Sequence, residues 1–451
     1  MYPSEGLMKA LNEIRETSIE NGTLYAKQVP VVDVTTSITA FGQPIMENPD
    51  VANEFISALI NRIAYTSVLV KNFNNPLQQL KGIEMPLGYA SQEIYVNPAQ
   101  GRAYDVNDFA GILARYEADV KVDYHVKNID RQYPVSITRQ ELKKAFVSWG
   151  DFESFISSLV NSLYNGLYIT QYNMTKGLIA SAYNSDTAVI ETVSALSSAD
   201  AYKALIKKLR ELYLNMQLPS TKYNAWYKIG GEGRPVNIWN EPDDTVLLIR
   251  NDVLSAVDVD VLASAFNMDR ANFLGRVIGI DTFDQYNAEG TKVFDGSNII
   301  CFIGDRRWFK IHDQETFMDQ WYNPNNRVWN YYLNYVAQYG YSFFANGVII
   351  ALAQPTVTTT ALTFTADSAS VKVGKKIKVR LKTTPIGGNS TVTFTSGDTS
   401  IFTVTKIDNQ LVEVTGVANG TDTLTASAES GTVTDTISIV VGTGVEDATT
   451  E

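Results

Sequence analysis

The sequence changes character at Pro355, and this break limits what the chain can fold into more than any other feature. All six tryptophans lie between Trp149 and Trp329, and no tyrosine follows the break. Over the last 96 residues, 356–451, 24 are Thr and none is Trp or Tyr. A chain of 451 residues is long enough for two or three domains. We therefore expect an aromatic-rich body followed by a separate C-terminal module.

Short β-type runs recur within this module, among them KIKVRLKTT, LVEVTGV, DTLTASA and TDTISIVV. Turn signals such as Gly387-Gly388 and Asn419-Gly420 separate them. About seven strands within a hundred residues are typical of an Ig-like sandwich. We expect an all-β sandwich over 355–442 and a flexible tail over 443–451.

The body mixes helical and extended patterns. A short amphipathic helix is predicted from Glu5 to Ile19, and the polar segment 29–44 is predicted to be extended. Asn48-Pro49 is a helix start, because Asn caps well and Pro is favoured in the first turn. A long helix is predicted over 150–184, where apolar residues recur every three or four positions.

The second half of the body continues this mixture. Ser197 or Ser198 is predicted to cap a third helix, whose apolar stripe runs from Tyr202 to Met216 and ends before Pro219. DTVLLIR, VIGID and NIICFIGD are predicted strands, and NDVLSAVDVDVLASAFN a helix. Because no repeated βαβ rhythm appears, the order of elements favours an α+β fold.

The charge and the rare residues exclude several classes of function. The formal net charge of -12 makes a nucleic-acid-binding protein an unfavourable interpretation, because such binding needs clustered Lys and Arg. One cysteine and two histidines cannot supply a conventional zinc site or a favourable Ser-His or Cys-His pair. The N-terminus has no apolar signal region, and no apolar stretch is long enough to span a membrane. A soluble protein made in a cytoplasm, without cofactor or metal, is expected.

Several candidate sites have a structural interpretation that we favour. The segment KIGGEGRPVN lacks the Gly-Lys-Ser/Thr of a phosphate-binding loop. Asp252, Asp258 and Asp260 fail the calcium-loop spacing and are interpreted as helix caps and solvated positions. Arg306-Arg307 beside Trp308 could grip phosphate, but an ion pair between subunits is favoured.

The remaining candidates are His125, His312, Cys301 and one aromatic cluster. Both histidines lie in strand-like runs and are assigned structural roles, and Cys301 is assigned to the core. The aromatic segment WYNPNNRVWNYYLNYV could be a sugar platform, but it is interpreted as a large packed interface. No combination of these residues indicates catalysis.

Three passages together resemble the major capsid protein of phi29-like podoviruses. They are LINRIAYTSVLVKNFNNPLQQLKGIEMPLGYASQEIYVNP (59–98), LKKAFVSWGDFESFISSLVNSLYNG (142–166) and VDVDVLASAFNMDRANFLGRVIGID (257–281). The similarity covers most of residues 48–350. In the module, SASVKVGKKIKVRLKTTP and GVANGTDTLTASA are similar to a bacterial Ig-like domain of group 2, which proteins of this family also carry.

The resemblance implies the Hong Kong 97 capsid fold and a division of the body. The implied parts are an N-terminal arm over 1–47, followed by a capsid domain over 48–354. Within the latter, an extended loop is implied at about 72–110, a spine helix at about 150–184 and an axial domain at about 197–300. The peripheral domain is implied to combine the spine helix with strands of the 302–352 region.

The implied function is that of a coat protein whose copies assemble into the icosahedral or prolate head of a tailed phage. Each extended loop would lie over a neighbouring subunit and lock without a covalent bond, although Lys71 and Lys81 lie near the loop. The implied intersubunit contacts are Pro76, Leu77, Lys81, Met85, Pro86, Arg306 and Arg307.

The resemblance also implies partners. They are many copies of the same chain, a separate scaffolding protein, a portal or connector, and head fibres. The shell would enclose double-stranded DNA without sequence-specific binding, because a negative body repels a packed genome. Assembly is expected in the host bacterial cytoplasm, without a membrane. The Ig-like domain is expected on the outside of the shell, where it either makes weak contact with the host surface or stabilises the shell.

Two other functions remain open on the sequence. A cell-surface or carbohydrate-binding adhesin would explain the Ig-like module and the aromatic cluster, but the chain shows no signal peptide or anchor. A carboxylate-dependent hydrolase rests only on scattered Asp and Glu residues.

Overall fold

The computed structural model describes residues 3, 5–63, 73–102, 114–226, 228–229, 231, 234–257, 277–287 and 290–442. The chain forms two compact units, each built from separated segments. Unit 1 comprises Met1–Tyr89, Val126–Asn173 and Ile311–Tyr339, and unit 2 comprises Ala90–His125, Met174–Lys310 and Gly340–Glu451. Residues far apart in sequence therefore meet in both units.

Helices and strands alternate irregularly along the body, and strands alone form the module. The described helices are α1 (Glu5–Glu20), α2 (Tyr25–Gln28), α3 (Ile38–Glu47), α4 (Pro49–Ile63), α5 (Arg139–Ala145), α6 (Trp149–Asn184), α7 (Ala199–Met216) and α8 (Asn251–Ala256). The strands of the body are β1 (Ser91–Val96), β2 (Val120–His125), β3 (Ile129–Thr138), β4 (Val189–Thr192), β5 (Thr245–Arg250), β6 (Val277–Ile280), β7 (Gln285–Tyr286), β8 (Lys292–Phe294), β9 (Ile299–Asp305), β10 (Phe309–Asn323), β11 (Val328–Tyr341) and β12 (Gly347–Ala351). Those of the module are β13 (Ala361–Phe364), β14 (Ser368–Val371), β15 (Lys376–Thr384), β16 (Thr393–Ser396), β17 (Phe402–Lys406), β18 (Leu411–Gly416), β19 (Gly420–Ala428) and β20 (Val433–Val441).

The N-terminal segment of unit 1 is helical, and the extended conformation predicted for 29–44 is wrong from Ile38 onward. Ser37 caps α3 by accepting a hydrogen bond from the backbone N–H of Ala40. Phe41 and Ile45, one turn apart, are both buried. A cap followed by an apolar i, i+4 pair stabilises one short helix, and Pro44 lies inside it.

The helix starts predicted downstream are found, but the helix that lies between them was missed, as was α2. The side chain of Asn48 accepts a hydrogen bond from the N–H of Asp50 at 3.0 Å at the start of α4. The long helix predicted over 150–184 runs from Trp149 to Asn184. Between them, Thr138 and Glu141 form a complete capping box that begins α5.

A three-stranded sheet belongs mainly to unit 1, with the order β10-β11-β3. Strand β11 pairs antiparallel with β3 over ten residues, from Val328 opposite Thr138 to Ala337 opposite Ile129. A turn at 324–327 joins β10 to β11, and Arg327 adopts a positive φ of 52° there.

Unit 2 contains a five-stranded mixed sheet, of order β4-β12-β9-β5-β6, covered by α7. The predicted apolar stripe of α7 is buried against this sheet, with Ser198 as the N-cap. The domain boundary predicted at about residue 300 therefore falls inside β9. The strands predicted for a peripheral domain over 302–352 divide between two sheets, because β9 and β12 pair with each other under α7.

The C-terminal segment of unit 2 forms two four-stranded sheets, β13-β15-β18-β17 and β14-β20-β19-β16. Both sheets contribute to one hydrophobic cluster, in which Leu381, Val412, Val414 and Leu424 are fully buried. Strand β17 was missed, although Phe402 and Val404 alternate with Thr as a strand requires. The predicted tail over 443–451 lies outside the described residues.

Candidate assembly surface

Residues 81–89 of unit 1 lie along the beginning of β10. The backbone N–H of Gly82 donates to the carbonyl of Ile311 at 2.8 Å, and that of Met85 donates to Asp313 at 2.9 Å. The Gln314 side chain donates to the carbonyl of Tyr89 at 2.8 Å. The segment is therefore held along its length by one strand, without forming a regular strand itself.

Asp313 is the centre of this attachment. Its carboxylate accepts from the Lys81 ammonium at 2.7 Å and from the Tyr335 hydroxyl. The ammonium also lies 5.9 Å from the centre of the Tyr335 ring. Burial raises the pKa of Tyr335, so its hydroxyl keeps the proton that it donates.

Close packing at this attachment requires a glycine. A Cβ on Gly82 would lie 2.6 Å from the His312 ring, closer than side chains approach. The ring nitrogen Nδ1 of His312 is 2.8 Å from the carbonyl of Ile83. His312 therefore has the structural role that the sequence predicts.

The attached segment turns large apolar side chains away from its own unit. Ile83 is 79% exposed, Tyr89 65% and Leu87 53%. Three such side chains within seven residues are unusual for a surface whose backbone is held in place. They form a candidate contact surface.

In unit 2, β1 and β2 form an antiparallel hairpin with an inverted distribution of polarity. We call its exposed side the outer face. Residues opposite each other in the register share this face: Gln92 with Tyr124, Ile94 with Val122, and Val96 with Val120. The opposite, inner face carries Ser91, Glu93, Tyr95, Lys121, Asp123 and His125.

The outer face is apolar except for Gln92. Ile94 is 57% exposed, Val96 52% and Val120 50%. The inner face is polar and more buried, with the Lys121 side chain only 4% exposed. A soluble hairpin normally places its polar face outward, so this arrangement indicates that another surface covers the outer face.

The structure places four of the predicted contact residues at or near the surface of unit 1. Pro76 and Pro86 are exposed, Met85 is half-buried, and the Lys81 ammonium is engaged with Asp313. Leu77 is fully buried within the chain. It offers no surface to a neighbour, so we remove it from the contact set.

The two predicted arginines lie in unit 2 and have intrachain partners. Arg307 makes a bidentate ion pair with the buried carboxylate of Asp305, and this hydrogen bonding raises the pKa of Arg307. Arg306 is 3.8 Å from Asp244 and remains 60% exposed at its side chain. Both arginine side chains remain more than half exposed, and the longer ion-pair distance of Arg306 makes it the better candidate for a contact with a neighbour.

The outer face of the hairpin was missed among the predicted contacts. The runs EIYV and VKVDY show the period of two that predicts strands. The sequence signal for this surface is that apolar residues and charged residues lie on opposite faces of the hairpin. That pattern cannot say which face is covered.

Half of the six aromatic side chains in segment 321–336 are interior, so these three do not contribute to the interface predicted for the segment. Trp329, Tyr331 and Tyr335 are buried in unit 1. Tyr322 and Tyr332 are half-buried, and Trp321 is 69% exposed. Aromatic content alone does not distinguish a core from an interface, because both need large apolar contact areas.

The other predicted sites have structural roles where they are described. Cys301 is buried, and burial raises the pKa of its thiol. Asp252 pairs with Arg250, and the hydrogen bonds from Arg250 lower the pKa of the Asp252 carboxyl group. Asp258, Asp260 and Lys71 lie outside the described residues. None of the described helices has the length and apolar character that a membrane crossing requires.

Exposed apolar side chains on residues 83–89 and on the outer face of the β1–β2 hairpin are what a subunit of a larger assembly presents to its neighbours. The family model of the Phi29-like phage major capsid protein matches residues 11–351. The chain belongs to this family. It is a structural component of the phage virion, and many copies of it assemble into the shell.

Individual relatives agree with this assignment. The major capsid protein of Bacillus phage B103 is 32% identical over 369 residues, covering 81% of this chain and 77% of that protein. The major capsid protein of Bacillus phage PZA is 29% identical over 433 residues, covering 93% of this chain and 92% of that protein. These relatives give the adhesin alternative no support.

The fold is also similar to a solved capsid. The capsid structure of Staphylococcus phage Andhra superimposes with a TM-score of 0.50 at 15% identity, over 63% of this chain and 85% of that chain. At this identity the similarity concerns the fold alone. It agrees with the Hong Kong 97-like fold that the sequence resemblance implies.

Proposed function

We propose that copies of this chain contact one another in the shell through the outer face of the β1–β2 hairpin and through residues 83–89. The observation that carries this proposal is the inverted polarity of the hairpin, with Ile94, Val96 and Val120 turned to solvent. A second copy is the partner that a shell supplies at every position. Pro76 of unit 1 and Arg306 of unit 2 are proposed as further contacts, together with Met85 and Pro86 within residues 83–89.

The energetics favour this contact. Burying one large apolar side chain stabilises an assembly by about 1.5–3 kcal/mol. Several such side chains on each copy offset the loss of translational and rotational freedom on association. Because Asp313 and β10 already hold residues 81–89, little further ordering is needed when a neighbour binds.

Ile94→Asp tests this contact directly. We expect the variant to fold with unchanged thermal melting but to form no closed shells, because a carboxylate would be buried without a partner. Electron microscopy and sedimentation of the purified chain, with its scaffolding protein, measure shell formation. The control is Gln92→Glu, which adds the same charge to the polar end of the same face. Normal shells from Ile94→Asp would contradict the proposed contact.

We propose further that residues 355–442 form an Ig-like domain carried on the outside of the shell. Its two sheets have a hydrophobic cluster separate from that beneath α7. Its attachment to the body includes two polar contacts: Asn389 donates to Asp186 at 3.0 Å, and Gln410 donates to the carbonyl of Lys228 at 3.4 Å. A domain with its own core and a small polar attachment fits display better than shell closure.

A chain ending at Gln354 tests the display. We expect it to assemble into shells, because the truncation leaves both the outer face and the cluster beneath α7 intact. An antibody against the module should label intact full-length shells and not truncated ones. A truncated chain that still melts cooperatively but forms no shells would show that the module is needed for assembly.

The remaining domain boundaries and the partners are proposed from membership of the capsid family. The N-terminal arm is assigned to 1–47 as a folded helical segment, and the capsid domain to 48–354 with its extended loop and spine helix. A scaffolding protein, a portal and head fibres are proposed partners, and weak host-surface contact is proposed for the module. The net charge of -12 suits a non-enzymatic wall that encloses DNA without binding it.

A further inference from the structure

The inner face of the β1–β2 hairpin carries a group of side chains that shell assembly does not explain. Glu93 and Asp123 are directly opposite each other in the register, and His125 lies two residues beyond Asp123 on the same face. Like charges directly opposite on a sheet are destabilising. Two carboxylates in this position therefore require positive charge nearby.

The distances between the three side chains match the coordination of a small divalent cation. Nε2 of His125 lies 3.6 Å from Oε2 of Glu93 and 3.8 Å from Oδ2 of Asp123. All three ligand atoms lie within 4.8 Å of one another. A tetrahedral ion with bonds of about 2.0–2.2 Å holds its ligands about 3.3–3.6 Å apart. Small side-chain adjustments would bring the three atoms to that spacing.

The remaining hydrogen bonds orient the ligand atoms. The Oε1 atom of Glu93 accepts from Lys310 at 2.9 Å and from the Ser342 hydroxyl at 2.8 Å. The Oδ1 atom of Asp123 accepts from the backbone N–H of Tyr124 at 2.9 Å. Each carboxylate thus uses one oxygen on the protein and turns the other toward His125. Such outer contacts are typical of metal ligands.

Two of the inward atoms have no hydrogen-bond partner among the described residues. They are Oε2 of Glu93 and Nε2 of His125, and both are buried. A buried polar atom without a partner is destabilising. The two atoms lie 3.6 Å apart, an ion pair when the imidazole is protonated, and a divalent cation between them would satisfy both.

We propose that Glu93, Asp123 and His125 bind one divalent transition-metal cation of the zinc class. Two carboxylates and one imidazole leave a fourth position for water. The sequence argument against zinc considered only Cys and His ligands. It therefore did not consider a site with one histidine and two carboxylates. Lys310 reduces the negative charge of the group, which favours reversible binding over permanent retention.

Zinc binding by the full-length, unassembled chain tests the inference. After chelator treatment, calorimetric titration with ZnCl2 should show one ion per chain. We expect Glu93→Gln and Asp123→Asn each to weaken binding at least tenfold, because each removes a charged ligand while keeping the side chain's shape. X-ray absorption spectroscopy at the zinc edge should show one imidazole ligand, with oxygen atoms as the other ligands.

Two variants control for other histidines and carboxylates. His312→Gln alters the other histidine, and Asp200→Asn removes an exposed carboxylate of α7. Both should bind zinc as the wild type does. Equal binding by Glu93→Gln and wild type, or loss of binding in His312→Gln, would overturn the proposal. Since the measurement uses unassembled chain, its result is independent of the proposed intersubunit contact.

Discussion

Phe41→Ala should lower the free energy of unfolding by about 3–5 kcal/mol, the usual cost of emptying a fully buried phenylalanine site. Phe41 has no exposed surface. Its ring centre lies 5.5 Å from that of Trp149, 5.6 Å from Phe55 and 5.8 Å from Phe152. These rings come from α4 and α6, so the substitution removes contacts between distant segments. Urea or thermal unfolding of the purified chain measures the loss.

The matched control for this prediction is Ile19→Ala. Ile19 belongs to α1 in the same N-terminal segment, but it is 57% exposed. A surface truncation of this kind changes stability by about 0.5 kcal/mol or less. If Phe41→Ala has as small an effect as the control, α3 is not packed in the folded chain and the segment behaves as an arm.

Asp313→Ala should cost about 3 kcal/mol and also prevent shell formation. The substitution leaves the Lys81 ammonium, whose side chain is 12% exposed, without its carboxylate. It also leaves the buried Tyr335 hydroxyl without its acceptor. Residues 81–89 then lose the centre of their attachment, so Ile83 and Tyr89 are no longer held for a neighbour. Unfolding measurements and electron microscopy separate the two effects.

An exposed ion pair of the same length provides the control. Lys127 and Asp130 also approach within 2.7 Å, but their side chains are 42% and 65% exposed. Asp130→Ala should cost at most about 1 kcal/mol, because solvent screens such pairs. The double variant Lys81→Met, Asp313→Leu should recover part of the stability by replacing the pair with apolar groups. If Asp313→Ala and Asp130→Ala lower the free energy of unfolding equally, Asp313 does not hold residues 81–89 in place.

Some elements could have been predicted from local signals, including two that were overlooked. The cap at Ser198 and the stripe that ends at Met216 predicted α7 closely. The capping box of Thr138 and Glu141 is an equally local signal for α5. The alternation of β17 is another. These elements follow from contacts between residues a few positions apart, which the sequence displays directly.

Other features depend on residues that are distant in sequence. Helix α3 contains Pro44 and follows a polar run, so local preference favoured an extended chain. The burial of Phe41 against α4 and α6 outweighs that preference, because an aromatic core contributes more than the propensity of a few residues. Leu77 likewise looked like a contact residue until the structure placed it in the interior.

By itself the sequence determined the break at Pro355, the main helices, most strands and, through resemblance, the capsid family. Only the tertiary structure decided that the apolar side of β1–β2 faces outward while its charged side is covered. Glu93 lies on the covered side because Lys310 and Ser342, more than two hundred residues away, supply its hydrogen bonds. The reason is physical: periodicity records which side chains share a face, but the segments that pack against a face are brought there by folding.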